Sequence, residues 1–291
     1  MRPVLIFVAT LSLSLSYLTA ADSERPNILI ITADNLGYGD LLVYNAASEI
    51  IAPRLDQLAE EGTRLTSFYT ASPTCTVSRA CLLTGRIPQR HGLLEQLSGL
   101  EGNYGVGLDH SEVLISQVLK AAPTPYVTGC FGKWNIGFAE GSRPTERGFD
   151  EFLGHASGNM DYYTHNYRMR HDLYKGVDEL YREGEYATDI FADAAIGFIE
   201  RQSKHESPWF CYLPFNAPHF PSVRNKKPGE PNNYQAPDWA FELYGWSPDE
   251  ADPVKRYAAV VTALDRAIGR VLDSLEDAGV ADNTFVFFMS D

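Results

Sequence analysis

The sequence predicts an α/β fold with a large, mostly parallel central sheet between helices. Five short runs rich in Ile, Leu, Val, Phe and Thr recur at residues 27–32, 64–70, 126–132, 209–215 and 284–290. Several are apolar at almost every position, the pattern of strands covered on both faces. Segments with helical spacing of apolar residues fall between them, and this alternation is the order of parallel strands joined by helical crossovers.

Each element has a local reason. The run at 27–32 ends on Asp34, Asn35 and Gly37, residue types that favour turns. A helix over 53–61 starts with Pro53, whose fixed φ and missing N–H suit a first turn. A short helix follows Cys75, and Ser111 supplies a cap for a helix over 111–122. Helices over 185–202 and 254–278 complete the alternation. Residues 220–253, rich in Pro, Asn and charge, read as a long surface excursion, and there is no internal repeat.

Composition narrows the partners. The 291 residues are 44% hydrophobic, enough for a substantial core, and Lys plus Arg number 24 against 38 Asp plus Glu, a net charge of −14. Such a charge argues against nucleic acid and anionic membranes. An anionic substrate would need local positive charge, from a metal ion or focused Arg and Lys side chains. At the N-terminus, Arg2 precedes an apolar stretch at 4–18 and the small residues Thr19, Ala20 and Ala21. This reads as an export signal over 1–21, too short to span a membrane, with one catalytic domain over 22–291 in the periplasm or outside the cell. Cys75, Cys81, Cys130 and Cys211 are too few for a dense disulfide framework.

Chemistry-bearing residues gather at the expected strand ends. Asp34 and Asn35 follow the first strand, Cys75 the second, Lys133 ends the third, His219 follows the fourth and Asp291 the fifth. Open α/β sheets bind ligands beyond the carboxyl ends of their strands, so one cleft collects these groups. Taken singly they have ordinary readings: a polar turn for Asp34 to Asp40, a solvated cap for Lys133, a structural role for His219 among prolines. Tyr162, Tyr163, His165 and Tyr167 fit either packing or the lining of a sugar or aryl pocket.

Several motifs share one resemblance. Cys75-Thr76-Val77-Ser78-Arg79-Ala80-Cys81-Leu82-Leu83-Thr84-Gly85 resembles the type I sulfatase signature C-x-P-S-R-x-x-L-x-T-G, with Val77 in place of proline. Gly132-Lys133-Trp134-Asn135-Ile136-Gly137 is similar to the family's G-K-W-H-x-G, and Ala217-Pro218-His219-Phe220-Pro221 to A-P-H-x-P. Ser290-Asp291 resembles the start of S-D-N-G, and the resemblance runs from about Arg25 to the last residue.

The resemblance implies an alkaline-phosphatase-like sandwich whose C-terminal subdomain is absent from this sequence. It implies hydrolysis of a sulfate monoester, on a sulfated carbohydrate, other small molecule or aryl sulfate, through formylglycine made from Cys75 by a maturation enzyme. Cys75, Arg79, Lys133 and His219 are then the catalytic set. Asp34, Asn35 and Asp291 would hold a hard cation, Ca²⁺ in preference to Mg²⁺, since a mixed carboxylate and amide set suits flexible coordination. Asn135 stands where the family has a histidine, and Asn135 and His165 are read as substrate contacts. The alternatives are a phosphohydrolase of the same superfamily and an inactive relative that binds a sulfated ligand.

Overall fold

The computed structural model describes residues 25–97, 107–221 and 234–291. The expected leader lies outside them. The strands are β1 (Asn27–Asp34), β2 (Val127–Lys133), β3 (Glu151–His155), β4 (Asn166–Tyr167), β5 (Arg170–His171), β6 (Tyr174–Lys175), β7 (Asp178–Glu179), β8 (Trp209–Pro218) and β9 (Thr284–Ser290). The helices are α1 (Pro53–Glu61), α2 (Cys75–Thr84), α3 (Pro88–His91), α4 (Ile115–Lys120), α5 (Ala187–Gln202), α6 (Asp238–Glu242) and α7 (Pro253–Asp277). Among the described residues no helix is long and apolar enough to cross a membrane.

The main sheet runs β7-β6-β3-β2-β8-β1-β9. The pairs β3/β2, β2/β8, β8/β1 and β1/β9 are all parallel, while β6 and β7 add an antiparallel edge. The strand period of two sorts side chains between two cores. In β8, Trp209, Cys211, Leu213, Phe215 and Ala217 face the layer of α1, α5 and α7. Phe210 and Tyr212 face the opposite layer, with Ala80 and Leu83 of α2 and Phe149. Burying each of these large side chains is worth roughly 1.5–3 kcal/mol, which explains why this strand reads as an unbroken apolar run.

Two expectations change. Residues 64–70 do not form a strand: only three of the seven are apolar, the segment pairs with no strand, and it touches β9 through the rings of Phe68 and Phe287. Its side chains stay open, Tyr69 to 85%. The 111–122 helix shrinks to α4, whose cap position is Leu114 and whose first turn is held by Gln117 Oε1 accepting from Leu114 N at 2.9 Å. Ser111 instead bonds back to Asp109.

The start of α1 is capped from a distance. Its own cap residue, Ala52, has no side-chain acceptor, and Asp265 of α7 accepts from Leu55 N at 2.8 Å and from Arg54 N at 3.2 Å. Burial raises the Asp265 carboxyl to about 6 despite these two bonds. Replacing Asp265 with Ala should cost about 1–2 kcal/mol in urea denaturation, the usual worth of a lost cap. Since the folded value lies above the ordinary one of 3.8, the folded state holds the extra proton between about pH 4 and 6. The stability conferred by that proton is complete below pH 4 and lost as pH rises through about 6, so Asp265→Asn should flatten that part of the stability profile.

Candidate active site

The site is built at the carboxyl ends of β1, β2, β8 and β9 and the first turns of α2. Asp34 closes β1 and is fully buried. One of its oxygens, Oδ2, accepts from Lys133 Nζ, and the other, Oδ1, accepts from Cys75 Sγ at 3.3 Å. Lys133 owes its position to Gly132, which has φ +134° and where a Cβ would stand 2.0 Å from the Pro214 carbonyl. Only glycine passes so close to β8 in that conformation.

Arg79, one turn into α2, is also fully buried. Its Nη1 donates to the Lys133 carbonyl at 2.9 Å and its Nη2 lies 2.6 Å from Asp291 Oδ2. Asp291 continues the β1/β9 pairing by donating its N–H to the Ala33 carbonyl at 3.1 Å. Cys75 is the first residue of α2 and half-buried, which puts it at the positive end of that helix.

His219 follows β8. Its Nδ1 donates to the Phe220 carbonyl at 2.7 Å, which fixes the tautomer and leaves Nε2 as the ring's acceptor. Ligating atoms of Asp34, Cys75 and His219 all lie within 4.8 Å of one another.

Electrostatics differ sharply over this short span. Burial pushes Asp34 up, but Lys133, His219 and Arg79 outweigh it and hold the carboxyl at about 2. Burial and the neighbouring Asp34 raise Asp291 to about 6, against the pull of Arg79. Desolvation lifts the Cys75 thiol and depresses His219. Both Asp291 carboxylate oxygens are buried without an aligned hydrogen bond, the 2.6 Å approach of Arg79 being a charge contact. Two adjoining buried carboxylates with unused lone pairs suit a hard cation. Asn35, the next residue after Asp34, is exposed and left-handed at φ +69°.

Two expected substrate contacts sit elsewhere. The His165 ring is wholly buried and bonds the Glu185 carbonyl at 3.0 Å, while its backbone bonds Asp161 and Asp172, so it offers no surface to a ligand. Asn135 is likewise buried, and its Oδ1 accepts from Thr76 Oγ1 at 3.1 Å and Gln96 Nε2 at 2.9 Å. That bracing lies directly behind Cys75. Gln96, which also accepts from Thr76 N at 3.0 Å, carries no sequence signal, because only the fold brings it to the start of α2. Tyr162 is also a packing residue, its hydroxyl bonding the Asn216 and His219 carbonyls at 3.1 and 2.8 Å.

A cavity of about 400 Å³ opens between α1 and β9. It meets the polar cluster only through Ser290 and Asp291. The chemistry is therefore concentrated beside the cavity, where the buried charges converge.

A family profile described as Sulfatase matches residues 26–291. The chain belongs to the sulfatase family. It is 35% identical over 284 residues to human N-acetylgalactosamine-6-sulfatase, covering 92% of this chain and 50% of that protein. Among solved structures it resembles Ps i-CgsB in complex with k-i-k-neocarrahexaose, with a TM-score of 0.76 and 31% identity over 91% of this chain and 58% of the other. The PsFucS1 sulfatase from Pseudoalteromonas sp. follows at a TM-score of 0.69 and 29% identity, over 92% and 55% of the two chains. This sulfatase chain thus spans about half the length of the relatives it matches.

Arg79 ties α2 to β2 and β9 in this sulfatase, so Arg79→Leu leaves Asp291 buried without its cation. The loss should be about 3–5 kcal/mol by urea denaturation. Arg79→Lys should recover only part of it, since one ammonium cannot replace a planar fork that reaches two partners.

Proposed function

We propose that the protein hydrolyses sulfate monoesters of carbohydrates, with a nucleophile derived from Cys75. The observation that carries this reading is the convergence on Cys75 of Asp34, Lys133, Arg79 and His219 at the start of a helix. Helix N-termini and fixed cations suit an anion with three charged or partly charged oxygens. Members of the family generally use formylglycine and a divalent metal. The neocarrahexaose in complex with Ps i-CgsB favours a sugar over an aryl group.

The environment of Cys75 supports conversion over direct use of the thiol. Burial and the Asp34 carboxylate keep it protonated, and a protonated thiol is a poor nucleophile. After conversion by a maturation enzyme, the hydrated aldehyde carries two hydroxyls. One attacks sulfur; its proton leaves, a new S–O bond forms, and the bond from sulfur to the substrate oxygen breaks. His219, with its Nδ1 proton committed to the Phe220 carbonyl, takes up a second proton at Nε2 and, as the imidazolium, delivers it to the departing alcohol. Lys133 and Arg79 provide the standing positive charge. Loss of the second hydroxyl's proton then re-forms the carbonyl and expels sulfate, and water restores the diol. Asn135 has no base to offer this last step, so the family's histidine role is not carried by that position.

Asp34, Asn35 and Asp291 would hold the cation, Ca²⁺ in preference to Mg²⁺ for their irregular donor set. When bound, it would withdraw charge from the sulfate oxygens. Residues 1–21 are proposed to direct export to the periplasm or cell exterior.

From a host with maturation machinery, the Cys75 peptide should be lighter than its cysteine form and react with carbonyl reagents. Sulfate-ester turnover should exceed phosphate-ester turnover and fall more than about a thousandfold in Cys75→Ala. An unmodified cysteine with full activity sinks the mechanism. Elemental analysis should find calcium, removable by chelation, and Asn35→Ala should weaken its binding by about tenfold or more, as loss of a ligand does. Stoichiometric zinc without calcium would reject the assignment.

A further inference from the structure

We propose that Phe220, Tyr234 and Tyr257 form an aromatic rim that receives the apolar face of the pyranose ring bearing the sulfate ester. This rests on the sulfatase reading and extends it to the leaving group. The row starts at His219, whose ring centroid lies 5.2 Å from that of Phe220. Phe220 meets Tyr234 edge to face at 5.6 Å and 80°, and Tyr234 meets Tyr257 at 5.2 Å and 76°. Since His219 is the group that would protonate the departing alcohol, the ring attached to that alcohol must lie beside it, where Phe220 stands.

Tyr234 and Tyr257 pack against the main core, yet the row is not closed over. Phe220 is 39% exposed, and Tyr234 and Tyr257 are only half-buried. Near-perpendicular steps turn the row into a corner, so the rings do not cover one another's faces as a stack would. The Tyr257 ring and the backbone that carries Phe220 and Tyr234 are also held in advance. The Tyr257 hydroxyl donates to Asp40 Oδ2, with the Asn35 carbonyl 3.3 Å away as a second, weaker acceptor. Arg256 Nε donates to the Tyr234 carbonyl at 2.8 Å, and His219 Nδ1 to that of Phe220 at 2.7 Å. A fixed aromatic surface gives contact area without the entropy cost of ordering side chains. The far end of the row is the Asp40 carboxylate, an acceptor for sugar hydroxyls that an unsubstituted aryl ring does not have. The sequence alone points to the aromatics at 162–167 instead, because nothing local marks residues 220, 234 and 257 as neighbours.

The test is direct binding, by calorimetry on the full chain carrying Cys75→Ala, so that turnover plays no part. The probes are methyl α-D-galactopyranoside 6-sulfate, phenyl sulfate and inorganic sulfate. Phe220→Ala and Tyr234→Ala, each added to this background, should weaken the sugar sulfate roughly three- to tenfold, the worth of one aromatic contact, and leave inorganic sulfate within about twofold. Tyr181→Ala, exposed but outside the row, should change neither. Unchanged sugar-sulfate affinity in both variants overturns the rim, as does a loss confined to phenyl sulfate. If inorganic sulfate fails to bind while sugar binding still depends on Phe220, the rim stands and the sulfate site falls. If neither anion binds, both fall.

Discussion

Asp34, Lys133, Arg79 and Asp291 are buried together, with at most 2% of any of their side chains exposed. An unpaired charge at that depth costs several kcal/mol, so each is tolerable only because the others are in place. The pairing constrains the topology. Lys133 stands on β2 and Asp34 on β1, with β8 between them. Two strand spacings amount to roughly 10 Å, a reach for which the four-carbon lysine stem is suited and an aspartate or histidine is not. Gly132 lets β2 pass close against Pro214 just before that lysine, and Arg79 fastens the start of α2 to the same strand end.

This arrangement reconciles a net charge of −14 with an anionic substrate. Whatever the overall balance, the two cations Arg79 and Lys133 are held fully buried beside the thiol. There they oppose the desolvation of Asp34 strongly enough to keep it ionised, while Asp291, next to a second carboxylate, rises to about 6. Two carboxylates side by side with opposite shifts are what a divalent cation would be expected to equalise. The residues behind the thiol matter as well: Asn135 and Gln96, bonded to each other, brace Thr76, the residue after Cys75.

Much of this is legible in the sequence. Four of the five expected strands, at 27–32, 126–132, 209–215 and 284–290, coincide with β1, β2, β8 and β9; a strand covered on both faces, as β8 is, must be apolar throughout, and edge strand β9 is read from its β-branched and aromatic run. The fifth misleads because Leu65, Phe68, Tyr69 and the threonines of 64–70 have strand-forming side chains, yet the segment stays exposed and pairs with no strand. Cys75, Arg79, Lys133, His219, Asp34 and Asp291 come together as their strand-end positions suggest, although Cys75 is reached through a loop rather than a strand. His165 fails as a substrate contact because an aromatic-rich segment signals burial as readily as recognition, and here it is buried against Glu185.

The sequence by itself determined the alternation of strands and helices and the order of the polar motifs, since periodicity and turn residues are local properties. It also determined the family, since the motifs are contiguous. Only the tertiary structure decided which edge of β1 each strand took, that Asp265 would cap a helix begun more than two hundred residues earlier, and that Gln96 would support Asn135. It alone aligned Phe220, Tyr234 and Tyr257 beside His219. These are contacts between residues remote in the chain, set by how two cores close around one sheet, and no local pattern encodes them.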